Sequence, residues 1–170
     1  FSYNERAFFI LKKYLTDFTD EELRNCVNQA YTREKFETES IAPLYGIDDK
    51  TYFLELWHGP TCAFKDMALQ ILPHFMTVSA KKTGETKTIT ILVATSGDTG
   101  KAALEGFKDV DGTKIAVFYP ENGVSDIQKL QMITQQGGNV YVASVKGNFD
   151  DAQNGVKHIF TDDKYKAELA

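Results

Sequence analysis

Cysteine, histidine and proline are scarce in this 170-residue chain, at two, three and four residues. No apolar run approaches the roughly 18 residues needed to cross a bilayer; the longest, "AFFIL" and "ITILVA", stop well short. A membrane partner is therefore not expected. Cys26 and Cys62 cannot build a disulfide framework and have no spaced companions for a zinc site, so no metal is expected and a reducing cytoplasm is the expected location. Cys62 reads as a small buried cysteine rather than a nucleophile. Basic excess is also missing: 19 Lys and Arg against 24 Asp and Glu give a net charge of -5, which leaves no broad basic surface for nucleic acid. The opening "FSYNERAFFILKKYL" has an acidic residue and a helical pattern where a signal peptide needs a basic start and a continuous apolar stretch. The chain begins at Phe1 without methionine and stops at "YKAELA", which reads as the middle of a helix. A piece of a longer polypeptide is the expectation.

What is present is an ordinary globular composition, 42% hydrophobic and 25% charged. Apolar residues at helical spacing predict a first helix over Asn4–Leu15, and Thr19 with Glu22 forms a capping box that predicts a second from about Asp20 to Tyr31. "KTYFLELW" reads as a strand that Gly59-Pro60 ends. Thr61 is the expected N-cap of a helix running through Phe75 with a bend at Pro73. Beyond Gly84 the pattern alternates. "TITILVAT", "TKIAVFYP" and "GNVYVASV" read as strands, the first of them buried, and "SGDTGKAALEGFKDV", "SDIQKLQMITQQ" and "FDDAQNGVKHIF" as helices. Such βαβ alternation predicts an α/β fold with a parallel sheet. The expected organisation is a helical region over 1–50, a strand and helix over 51–87, and a βαβ domain over 88–170.

Two stretches carry chemistry. In "VATSGDTGKAA" a strand gives way to a helix across Gly97 and Gly100. A helix amino terminus leaves N–H groups free and carries partial positive charge, and glycine lets an anion approach the backbone, so with the hydroxyls of Ser96 and Thr99 this turn can hold a carboxylate or phosphate. Simple helix capping by Ser96 or Asp98 accounts for the same residues about as well. A P-loop is rejected, because Thr95 stands where its first glycine belongs and Ala102 follows Lys101. A dinucleotide turn fits in part, with Thr95 in place of the first glycine and Glu121 at the end of the next strand. A non-catalytic anion-binding module is a further alternative.

The second stretch is "HGPTCAFKDMALQ", His58 to Gln70. Lys65 falls in the expected first helical turn, where the macrodipole disfavours another positive charge by roughly 0.3–1 kcal/mol. A neutral, partly desolvated amine is what attack on an aldehyde requires. The competing reading is a solvated lysine paired with Asp66, and local electrostatics alone favour it. His58 either poises a proton or packs beside the turn.

Taken together, "HGPTCAFKDMALQ" and "VATSGDTGKAALEGF", continued by "PENGVSDIQKLQM" and "GNVYVASVKGNFDDAQ", resemble the threonine synthase family over nearly the whole chain. The resemblance implies a pyridoxal-phosphate enzyme of fold type II with a helical amino-terminal region, present here as a partial fold. It implies a lyase that converts O-phospho-L-homoserine and water to L-threonine and phosphate. Lys65 would form the Schiff base with pyridoxal 5'-phosphate and shuttle protons. Asp98 would face the cofactor, and Ser96, Gly97, Thr99 and Gly100 would hold the substrate carboxylate. Ser125, Gln128, Asn148 and Asp151 match family positions without assigned roles. The family's glycine-rich phosphate loop has no counterpart before Ala170, and Gly137-Gly138 does not replace it. These 170 residues alone are therefore expected to be inactive, with the remainder of the polypeptide needed to complete the site.

Overall fold

A computed structural model describes residues 1–165. The expected helix in "YKAELA" lies, apart from Tyr165, outside the described residues. The chain divides into two compact units, Phe1–Thr86 and a second beginning at Lys87. No helix among the described residues is long and apolar enough to cross a membrane.

The first unit opens with α1 (Tyr3–Leu11) and α2 (Asp20–Ala30), and both start in reciprocal capping boxes, Ser2 with Glu5 and Thr19 with Glu22. α1 ends four residues earlier than the spacing predicts. Lys13 N–H and Tyr14 N–H bond the carbonyls of Ile10 and Leu11, three residues back, which tightens the chain into turns. The short α3 (Arg33–Phe36) follows, and then a hairpin of β1 (Leu44–Gly46) and β2 (Tyr52–Leu54), antiparallel, with Leu44 opposite Leu54. Neither α3 nor β1 was visible in the polar stretch around Pro43. Cys26, Val27, Ala30, Phe36, Ile41 and Ile71 form the core.

The helix expected to run from Thr61 through Phe75 is two helices. α4 (Asp66–Leu69) is a single turn, and α5 (Leu72–Thr83) is separate. Pro73 does not bend a continuous helix; it sits in the first turn of α5, where its missing N–H removes no internal bond. Tyr31, at the carboxyl end of α2, donates its hydroxyl to the carbonyl of Met67 at 2.6 Å, which ties α4 to the helical core.

The second unit is a parallel sheet in the order β3 (Ile89–Ala94), β4 (Thr113–Pro120), β5 (Val140–Val145). It is joined by α6 (Asp98–Phe107) and α7 (Asp126–Ile133) and followed by α8 (Phe149–Thr161). β4 is central, and its alternating Thr113, Ile115, Val117 and Tyr119 are buried. Ala102, Ala103, Leu104 and Phe107 of α6 are buried as well. α6 packs on β4, while α8 packs across β3 and β4. The apolar run of β3 was expected to be buried, but its residues are half-buried or exposed, since among the described residues it pairs with β4 on one side only.

Candidate active site

The lysine stretch lies in the first unit and is organised by a buried carboxylate. Asp66 is fully buried; its Oδ2 accepts the Thr61 N–H at 2.9 Å and its Oδ1 accepts the Thr61 hydroxyl at 2.6 Å. Thr61 thus ties down Asp66 and is not a helix cap, which corrects the expected start of the helix. Cys62 adopts a left-handed backbone, φ 56°, and breaks any helix between Thr61 and Ala63. Gly59 presses against the same carboxylate: a Cβ there would stand 2.5 Å from Asp66 Oδ2 and 2.6 Å from Asp66 Cβ. Only glycine fits at that approach.

Lys65 is the residue before α4, with helical φ -61° and ψ -25°, and is half-buried. Its Nζ lies 4.7 Å from the centre of the Phe64 ring. Among the described residues it has no carboxylate partner, because Asp66 is turned to Thr61. The arrangement is therefore not the Lys65–Asp66 ion pair weighed from sequence. A helix dipole acts only weakly on Lys65, since α4 supplies one turn of aligned peptides rather than a long helix. Gln70 is buried at the end of this stretch, and its Nε2 has no hydrogen-bond partner among the described residues. His58 Nε2 lies 2.7 Å from Glu55 Oε2. Cys62, expected to be buried, is exposed, while Cys26 is buried.

The glycine turn lies in the second unit. Thr95, buried at the end of β3, accepts at its Oγ1 the N–H groups of Gly97 at 3.0 Å and Gly100 at 2.9 Å. Two amides that the anion reading left bare are thus already occupied. The amides of Asp98 and Thr99, first and second in α6, are ones for which a helix offers no internal partner. Ser96 is exposed and Thr99 half-buried beside them. Gly97 has φ 144°, open to glycine, and a Cβ at Gly100 would stand 2.4 Å from Thr95 Cγ2 and 2.9 Å from Val117 Cγ1. The two glycines have different jobs, one conformational and one for helix-on-strand packing.

Sequence reasoning missed two features here. Lys101, 93% buried, brings its Nζ to 3.8 Å from Asp98 Oδ1 and donates to Gln131 Oε1 at 2.9 Å, so the turn does have a cation beside it. The i, i+3 spacing of Asp98 and Lys101 was the available signal. Gln128 Nε2 donates to Asp98 Oδ1 at 2.8 Å. Ser125 and Gln128, like Asn148 and Asp151, form capping boxes at the starts of α7 and α8, a local role that S-x-x-Q and N-x-x-D spacing could have supplied. Glu121, required by the dinucleotide reading, is exposed and bonds Val145 through its backbone N–H.

Residues 27–167 match the family described as pyridoxal-phosphate dependent enzyme. The threonine synthase of Pseudomonas aeruginosa is 38% identical over 161 residues, which are 94% of this chain and 34% of that protein. Human threonine synthase-like 1 is 40% identical over 175 residues, covering 99% of this chain and 23% of that one. Among solved structures, the pyridoxal-phosphate-bound threonine synthase from Brucella melitensis aligns with a TM-score of 0.88 at 38% identity, covering 99% of this chain and 36% of that one. The yeast threonine synthase aligns with a TM-score of 0.87 at 36% identity, over 97% and 34% of the two chains. The chain spans about a third of the length of the threonine synthases it matches. These matches support the parallel α/β fold and do not favour the dinucleotide or non-catalytic alternatives.

Proposed function

The chain belongs to the pyridoxal-phosphate dependent enzyme family, and from that premise we propose that it carries part of the machinery of a threonine synthase. The reaction is elimination of phosphate from O-phospho-L-homoserine and addition of water to give L-threonine. One observation carries the reading: Lys65 is half-buried, its Nζ faces an aromatic ring, and it has no carboxylate partner among the described residues, because the adjacent Asp66 is held by Thr61. An amine so placed fits a lysine that condenses with an aldehyde. Gln70 Nε2, without a hydrogen-bond partner among the described residues, adds a buried donor in the same stretch.

Pyridoxal phosphate, when bound, supplies the electron-withdrawing ring that stabilises negative charge next to the substrate nitrogen. Lys65 Nζ holds the cofactor at rest and, during turnover, takes and returns protons at the substrate carbons. The Phe64 ring lies 4.7 Å from the amine and offers it an aromatic face. The Asp98 and Thr99 amides, with the Ser96 and Thr99 hydroxyls, bind the substrate carboxylate, while the Gly97 and Gly100 amides stay bonded to Thr95 and shape the turn. Asp98 would be among the residues that hold the cofactor.

Borohydride reduction of the natural full-length protein followed by peptide mapping tests the lysine. A pyridoxyl adduct on Lys65 is expected, together with phosphate release from O-phospho-L-homoserine that Lys65→Ala abolishes. An adduct confined to another lysine, or none, overturns the assignment. An adduct on Lys65 without threonine formation overturns the substrate alone.

A further inference from the structure

We propose that Gln128 is a positioning residue for the Ser96–Gly100 turn, acting through Asp98; what the turn binds rests on the threonine synthase reading, but the positioning does not. The two ends of the Gln128 amide are used differently. Its Oε1 accepts from the Ser125 N–H at 3.2 Å and the Ser125 hydroxyl at 3.1 Å, closing the capping box of α7. Its Nε2 donates to Asp98 Oδ1 at 2.8 Å. Reversing the amide would set Nε2 against the Ser125 N–H and Oε1 against a carboxylate, so the network fixes one orientation.

A capping box is served equally by glutamate or glutamine. Only glutamine can also donate to a carboxylate. A glutamate at this position would bring two carboxylates into hydrogen-bond distance, so the residue type at 128 is set by Asp98 rather than by the helix it caps. The same amide lies against Gly97: a Cβ there would stand 2.4 Å from Gln128 Cδ and 2.5 Å from both Nε2 and Oε1. Gln128 therefore bears on two consecutive residues of the turn from a side chain anchored at a helix start. Lys101 approaches the same Asp98 Oδ1 at 3.8 Å. Both contacts fall on Oδ1, and among the described residues Oδ2 has no partner. Gln128 thus holds one carboxylate oxygen and leaves the other to face a ligand.

Hydrogen exchange followed by mass spectrometry, on the natural full-length protein without cofactor or substrate, separates this role from capping. In Gln128→Glu the start of α7 should keep its protection, while amides in the 95–100 segment exchange on the order of tenfold faster, the scale of one charge-assisted hydrogen bond. Ser125→Ala should do the reverse, loosening the start of α7 and sparing 95–100. The swapped pair Asp98→Asn with Gln128→Glu restores one donor facing one carboxylate and should recover protection of the turn. With cofactor bound, Gln128→Glu should raise KM for O-phospho-L-homoserine more than it lowers kcat. Unchanged exchange at 95–100 in Gln128→Glu, equal loosening of the turn by Ser125→Ala, or a swapped pair that fails to fold or to recover protection each overturns the proposal. Because exchange is read without chemistry, its failure is distinct from a failure to form threonine.

Discussion

Asp66 and Thr61 are bonded twice, carboxylate to backbone N–H at 2.9 Å and carboxylate to hydroxyl at 2.6 Å, in a region closed to water. The pair closes a six-residue loop, Thr61 to Asp66, whose fourth residue after Thr61 is Lys65, so the lysine's backbone is set by its neighbour's side chain. It also keeps the nearest carboxylate from pairing with the amine.

Thr61→Val should therefore leave Asp66 Oδ1 without this donor at a buried site. A loss of about 1–3 kcal/mol in denaturant unfolding is expected, with Thr61→Ser close to the original. The borohydride-trapped yield on Lys65 should fall with Thr61→Val and recover with Thr61→Ser. Equal stability for valine and threonine would show that the carboxylate is not held this way.

Thr95→Val should remove the acceptor for the Gly97 and Gly100 amides together. Two buried donors lose their partner, so about 2 kcal/mol or more of stability should go. Exchange should quicken at both glycines, and Thr95→Ser should retain most of the protection. Protection unchanged in valine would count against Thr95 as the acceptor.

Gly100→Ala should destabilise by about 1–3 kcal/mol, the usual scale of overpacking, because the added methyl meets Thr95 and Val117. Thermal unfolding of the variant checks this, and an unchanged midpoint would mean that α6 can lift from β4 at no cost.

A thiol reagent should label Cys62 within the mixing time of a slow assay and leave Cys26 untouched until unfolding. Cys62 is exposed, whereas burial pushes the Cys26 thiol above its ordinary value and so suppresses the reactive thiolate. Mass spectrometry after labelling reads which peptide is modified, and early modification of Cys26 would contradict the packing of α2.

Glu22 should make stability depend on pH on the acid side. The hydrogen bond from Lys82, then that from the Thr19 amide, holds its carboxyl below the ordinary range. A value lower in the folded than in the unfolded chain means the contribution is present above the unfolded value, about 4.3, and is lost as pH falls through the folded one. Glu22→Gln keeps an acceptor for the cap and should flatten part of that acid-side decline in thermal midpoint. Glu5 and Asp48, also held low by hydrogen bonds, account for a remaining slope.

Local signals were the legible ones. The capping box at Thr19, the alternation of strands and helices after Gly84, and the glycine turn between β3 and α6 are all local patterns, and each appears within a few residues of its expected place. What spacing could not supply was the destination of side chains. Thr61 looked like a cap because a threonine before an apolar helical pattern usually is one; a buried Asp66 five residues on competes for the same hydroxyl, and a left-handed Cys62 breaks the helix that would have needed capping. Bare amides were expected at Gly97 and Gly100 because Thr95 was counted as the last residue of a strand, when its hydroxyl reaches forward into the turn. Lys101 and Gln128 meet Asp98 from positions three and thirty residues away, and only the first of those distances is visible in a helical pattern.

The strands of the second unit lie side by side in the order in which they are made, β3, β4, β5, so each has its neighbour in place before it leaves the ribosome. Such a sheet can grow during synthesis as each crossover, first through α6 and then through α7, is completed, without waiting for a segment made much later. A half-finished chain stalled after Pro120 would already hold β3 paired to β4, with α6 between them in sequence, and would leave bare the edge of β4 that β5 later covers.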